Sequence, residues 1–163
     1  VSLIGLGNPV IKVANGTTKG GNRVSLAIGT IETWQGTIDG FHFQQTTGFT
    51  STLLINVFRA ENYTIDNNIF TLFTYGATMI KGVNDAGWIA SGMYRKNGKY
   101  RGNVIDIDGG FGVAQEGISV SANGSATLGY WAENIEISGN TIIGTGDDPI
   151  GLHGVTNKCQ RCP

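Results

Sequence analysis

The 163 residues, 40% hydrophobic and 14% charged with a formal net charge of −1, suit one folded domain with a buried core and exclude a disordered chain. Eleven scattered basic residues against 12 acidic ones leave no footprint for nucleic acid, and no apolar run approaches the roughly 18–20 residues of a membrane-spanning helix, so neither partner is expected. The 26 glycines are about twice the usual share of roughly 7% and follow no Gly-X-Y period, which points to frequent turns.

In chain order, Val1–Val13 reads as strand from the first residue, without an initiator methionine, as expected of a piece of a longer protein. Gly5-Leu-Gly7 opens like a dinucleotide fingerprint, but the third glycine and the following helical pattern are missing. Internal repetition comes next. Ala60–Phe70 aligns with Ala132–Ile142 at an offset of 72, with Tyr100–Ile105 as a looser copy between them and Ile38–Phe43 before them. The four copies begin at Ile38, Ile65, Tyr100 and Ile137, at spacings of 27, 35 and 37. Each alternates apolar and other residues with a β-branched or aromatic bias, the period-two signal of a strand with one buried face.

A second short strand follows each copy: Leu53–Val57, Thr78–Gly82, Gly117–Val120 and Pro149–Leu152. Short strands, Gly and Asn turns and a forward period near 30 predict an all-β solenoid that climbs one strand spacing per coil. Equivalent residues of successive coils then lie about 4.8 Å apart. Asn68, Asn103 and Asn140 are expected to share a column and form an amide ladder. Ile65, Tyr100 and Ile137 are expected in one core column, with Phe43, Phe70, Ile105 and Ile142 in another.

The pattern N-x-x-I-x-x-N-x-[IF], then a turn and G-I-x-V or P-I-x-L, covers about residues 36–157. It resembles the right-handed parallel β-helix (pectin-lyase-like) superfamily of pectate lyases, polygalacturonases and phage tailspike depolymerases. The resemblance implies one parallel β-helix domain over residues 1–163, a fragment of about four to five coils with 157–163 as a terminal tail. It also implies a polysaccharide as partner, an extracellular, cell-surface or virion location and, by analogy with tailspikes, a homotrimer.

The same coil registration locates candidate chemistry. Aligning Gly117–Val120 with Pro149–Leu152 puts Glu116 beside Asp148 and Gln115 beside Asp147. Two acids about 5–9 Å apart suit glycosidic cleavage, one protonated to donate to the leaving oxygen and one ionised to activate water or attack carbon; their mutual repulsion separates the two pKa values. Asp106 and Asp108, two apart in one strand, are expected to project together from its outer face. Gly146-Asp-Asp-Pro-Ile150 is similar to the G-D-D-x-I motif of polygalacturonases, and the resemblance implies Asp147 as general acid and Asp148 as an activator of water. The family's N-T-D, G-H-G and R-I-K elements are not found at their distances. His153 is counted among the substrate contacts, although His153-Gly154 comes too soon for G-H-G.

Gly82–Lys99 reads as a long loop, in which Trp88 and Tyr94 can stack on sugar rings and Arg95 with Lys96 can pair with a uronate or sulfate. The catalytic candidates are thus Asp147, Asp148 and Glu116, with Asp106, Asp108, Trp88, Tyr94, Arg95, Lys96 and His153 for substrate and no metal. A rival use of the acids is a lyase or epimerase. Asp106, Asp108, Glu116 and Asp148 would then ligate calcium, and Arg95, Lys96 or Arg101 would remove the proton. A third reading is a non-catalytic carbohydrate-binding or structural module, in which the acids only cap turns. Cys159 and Cys162 form one CxxC, open to a local disulfide, a redox pair or half a zinc site.

Overall fold

The structure, a computed structural model, describes residues 1–13, 17–19, 22–29, 31–45, 52–72, 77–82, 94–107, 116–121, 131–144 and 148–153. Seventeen strands and no helix lie among them. The strands gather into three sheets. The first holds β1 (Leu3–Ile4), β5 (Trp34–Asp39), β8 (Arg59–Asp66) and β11 (Tyr94–Arg101), with β14 (Trp131–Glu133) and β15 (Glu136–Ser138) both paired to β11. The second holds β2 (Val10–Val13), β6 (His42–Gln45), β9 (Ile69–Leu72), β12 (Val104–Ile107) and β16 (Thr141–Gly144). The third holds β3 (Thr17–Lys19), β4 (Asn22–Ile28), β7 (Thr52–Val57), β10 (Ala77–Gly82), β13 (Glu116–Ser121) and β17 (Asp148–His153).

The chain visits the three sheets in the same rotation five times, and each strand pairs with its counterpart from the round before. All pairings are parallel except β3 with β4, where the chain folds back on itself. All four expected repeat copies align: Ile38 pairs with Ile65, Ile65 with Tyr100 and Tyr100 with Ile137. A fifth copy precedes them, with Leu3 opposite Ile38. In the second sheet Phe43, Phe70, Ile105 and Ile142 are successive partners. The rings of Phe43 and Phe70 stack at 5.2 Å between centroids and 8° between planes. The third sheet adds the column Leu26, Ile55, Ile80, Ile118 and Ile150. Ile38, Phe43, Ile55, Ile65, Phe70, Tyr100, Ile105 and Ile118 are all buried and form one hydrophobic cluster.

The turn from the first sheet to the second explains the recurring Gly-Asn and Asn-Asn pairs. Gly40, Asn67, Gly102 and Gly139 follow aligned strand ends and all have φ between 51° and 75°. In this left-handed region glycine and asparagine are tolerated and other residues strained. The next residue is Asn68, Asn103 or Asn140, and the expected ladder is present. Asn68 Nδ2 donates to Asn103 Oδ1 at 3.2 Å, and Asn103 Nδ2 to Asn140 Oδ1 at 2.9 Å. Each amide also donates to a backbone carbonyl of the preceding round, that of Ile38, Ile65 or Tyr100. Each Oδ1 accepts a backbone N–H from the round before, from Phe41, Asn68 and Asn103 in turn. These buried amides therefore knit successive turns together where no strand ladder reaches.

One stretch differs from expectation. The loop read over Gly82–Lys99 ends earlier, because β11 starts at Tyr94 and runs in register with β8 from Arg59 onward. What holds these longer strands is a second, exposed ladder: Asn97 Nδ2 donates to Asn62 Oδ1 at 2.9 Å and Asn134 Nδ2 to Asn97 Oδ1 at 3.0 Å. All three asparagines have φ of 50–52°.

Candidate functional site

The acidic candidates are positioned by the third sheet. β13 and β17 pair in the register read from the sequence, with Glu116 opposite Asp148, Ile118 opposite Ile150 and Ser121 opposite His153. Adjacent strands lie about 4.8 Å apart, so two acid-bearing positions occupy neighbouring strand starts, and Asp147 immediately precedes one of them. Asp147, Asp108 and Trp88 lie outside the described residues, and Glu116, Asp148 and His153 are placed by their backbone alone.

Asp106 belongs to a different sheet. It lies on β12 between Thr71 and Ile143, in a half-buried outward column, while Ile105 beside it is buried. Among the described residues no three His, Cys, Asp or Glu side chains cluster as a metal site would need.

The remaining candidates sit on β11, where alternation separates them. Tyr94 is half-buried, and its hydroxyl bonds with Thr33 Oγ1 at 2.7 Å. Lys96 also faces outward, between Glu61 on one side and Glu133 on the other. Lys99 lies beside Glu136, and Arg101 makes a bidentate bond to Asp66, Nε to Oδ1 at 3.2 Å and Nη2 to Oδ2 at 2.6 Å. That bond holds the Arg101 guanidinium above its ordinary pKa, so Arg101 is poorly suited to act as a proton-abstracting base. The outer face of the first sheet is thus a cation-bearing strand, β11, flanked by acid-bearing strands, an arrangement that favours cross-strand pairing.

Arg95 departs from its expected place. Instead of reaching outward toward a sugar it turns inward and is only 1% exposed, with Nε and Nη2 finding no hydrogen-bond partner among the described residues. The physical reason is the strand period: once β11 begins at Tyr94, residues 94 and 96 share the outer face and 95 must point to the core. Near it lies a pair of tyrosines, of which the sequence alone places only Tyr100, as a core residue. Tyr63 and Tyr100 share a hydrogen bond of 2.8 Å between hydroxyls, with their rings edge to face at 5.8 Å. Tyr63 finds room because Gly98 opposite has no side chain; a β-carbon there would run into the Tyr63 ring. Burial raises both tyrosine pKa values, that of Tyr63 well above its ordinary value with further upward pressure from Tyr100. Burial lowers that of Arg95, against an opposing pull from the two tyrosine oxygens. The signal that would have placed Arg95 inside was Asn97-Gly-Lys-Tyr100, which repeats the spacing of Asn62 to Ile65 and Asn134 to Ile137.

Comparison with protein-family models, with curated protein sequences and with solved structures gave no match to this chain.

Proposed function

We propose that the three sheets are the faces of one right-handed parallel β-helix of the pectin-lyase-like kind, and that the protein hydrolyses glycosidic bonds of a polysaccharide with paired carboxylates. The observation that carries this reading is the backbone register of Glu116 with Asp148, with Asp147 adjoining. Five rotations through three parallel sheets support the β-helix.

In the proposed reaction Asp147 protonates the leaving glycosidic oxygen, while Asp148, helped by Glu116, activates the attacking water. The chemistry requires that one acid keep a proton to donate while its neighbour stays ionised, a division that repulsion between two nearby carboxylates favours. The setting that fits this chemistry is extracellular, on a cell surface or on a virion.

The test is incubation with acidic polysaccharides while reducing ends and ultraviolet-absorbing unsaturated ends are followed together. Reducing ends alone, lost in Asp148→Asn at unchanged thermal stability, support hydrolysis. Unsaturated ends that vanish on chelation would replace it with calcium-dependent elimination. Silence in both assays, with retained binding to immobilised polysaccharide, would replace it with a binding module.

A further inference from the structure

Among the described residues, the guanidinium of Arg95 is the buried charged group that neither the core nor the proposed chemistry explains. It stands in the inward column Trp34, Ala60, Arg95, Ala132. Its neighbours on both adjacent strands contribute one methyl group each, which leaves space beside a long side chain. Every acidic side chain of described exposure is half-buried or exposed, and Asp66 is engaged by Arg101. Among the described residues, Arg95 itself has two N–H-bearing atoms that are buried and find no hydrogen-bond partner.

An arginine stays protonated in a protein, and a buried charge without a counter-charge costs several kcal/mol. The interior must therefore supply a negative partner. The tyrosine pair cannot do so by ionising, since burial drives both hydroxyls toward the neutral form. It can supply another donor instead. One hydroxyl donates to the other across 2.8 Å, and the accepting hydroxyl keeps its own proton free to donate onward. Two guanidinium donors and one hydroxyl donor, in a column with Trp34, Ala60 and Ala132, offer a buried, positively charged and otherwise apolar setting. Such a setting suits a weakly hydrated monovalent anion. Sulfate or phosphate would bring more charge and more acceptor oxygens than three donors can satisfy.

We propose that Arg95 holds a buried halide ion, chloride in ordinary salt, with a hydroxyl of the Tyr63–Tyr100 pair completing the site. This site is independent of the acids on β13 and β17. The ion binds the folded state and not the unfolded one, so stability must rise with its concentration.

The experiment is thermal unfolding at constant ionic strength as gluconate is replaced stepwise by chloride or bromide. The wild-type midpoint should climb by several degrees and level off as the site fills. Arg95→Met keeps the length of the stem, deletes the guanidinium and should remove the saturating part of the response. The same saturating rise in both proteins would overturn the proposal. If Arg95→Met does not fold, crystals of the wild-type protein soaked in bromide decide the matter. An anomalous peak within hydrogen-bond distance of Arg95 Nε or Nη2 establishes the site, whereas a water molecule or a carboxylate side chain in that place refutes it.

Discussion

Replacing Asn103 by alanine tests whether the buried amide ladder holds successive rounds together. The Asn103 side chain is fully buried and makes four hydrogen bonds: Nδ2 donates to Ile65 O and to Asn140 Oδ1, both at 2.9 Å, and Oδ1 accepts from Asn68 N at 3.0 Å and Asn68 Nδ2 at 3.2 Å. Not all of these losses count equally. Asn68 Nδ2 keeps its bond to Ile38 O, and Asn140 Oδ1 keeps the backbone N–H of residue 103. The Asn68 backbone N–H is left with no acceptor, and Ile65 O loses its side-chain donor. At about 1–3 kcal/mol for each buried group left unsatisfied, Asn103→Ala should cost about 2–6 kcal/mol. Asn97→Gly is the control. It keeps the left-handed backbone and deletes only exposed ladder bonds, so it should cost less than about 1 kcal/mol. Denaturant unfolding with an unchanged m-value measures both. If Asn103→Ala lies within about 0.5 kcal/mol of wild type, or costs no more than Asn97→Gly, the ladder is not what secures the turns.

Gly98→Ala should destabilise by about 1–3 kcal/mol, as overpacking does, because its new β-carbon meets the Tyr63 ring; combining it with Tyr63→Ala in a double-mutant cycle should give less than the sum of the two losses. Alkaline titration gives a signed result. The pKa values of Tyr63 and Tyr100 are raised by folding, so their contribution is complete below the unfolded value of about 10. Above it the unfolded chain gives up protons that the native chain keeps, and stability falls by up to about 1.4 kcal/mol per pH unit per group. Tyr63→Phe should therefore flatten the decline above pH 10, and ultraviolet difference absorbance should show both hydroxyls ionising only with unfolding. Glu116→Gln should slow polysaccharide hydrolysis less than Asp148→Asn does, and equal rates for Asp148→Asn and wild type would remove Asp148 from the reaction.

Sequence patterning carried the parts of this architecture that obey short-range rules. Ile38, Ile65, Tyr100 and Ile137 could be aligned because each sits three residues before a turn asparagine or its equivalent, and the aligned strands pair in that register. Glu116 and Asp148 were brought together by the same logic. Arg95 was misread because a charged residue among Lys, Asn and Gly looks like loop. What turns it inward is its strand partnership with Ala60 and Ala132, and that partnership is a non-local fact. The antiparallel pairing of β3 with β4 has a local signature, Gly20-Gly21 between Lys19 and Asn22, the two-residue hairpin signal, which forms no part of the forward repeat. Composition cannot separate acids that cut sugars from acids that finish turns, because both uses ask for Asp and Glu in the same places.

In each of three rounds the two asparagines of the paired ladders stand six residues apart: 62 and 68, 97 and 103, 134 and 140. The rounds themselves differ in length, since Ile65 and Tyr100 are 35 positions apart while Tyr100 and Ile137 are 37 apart. Length can thus change outside these hexads but not within them. One residue added between Asn97 and Asn103 would swap the inner and outer faces of the rest of that strand, whereas the links from the second sheet to the third and from the third back to the first differ in length from round to round. A protein engineer wishing to graft a foreign peptide onto this frame has, in those links, places where the frame has already accommodated such variation.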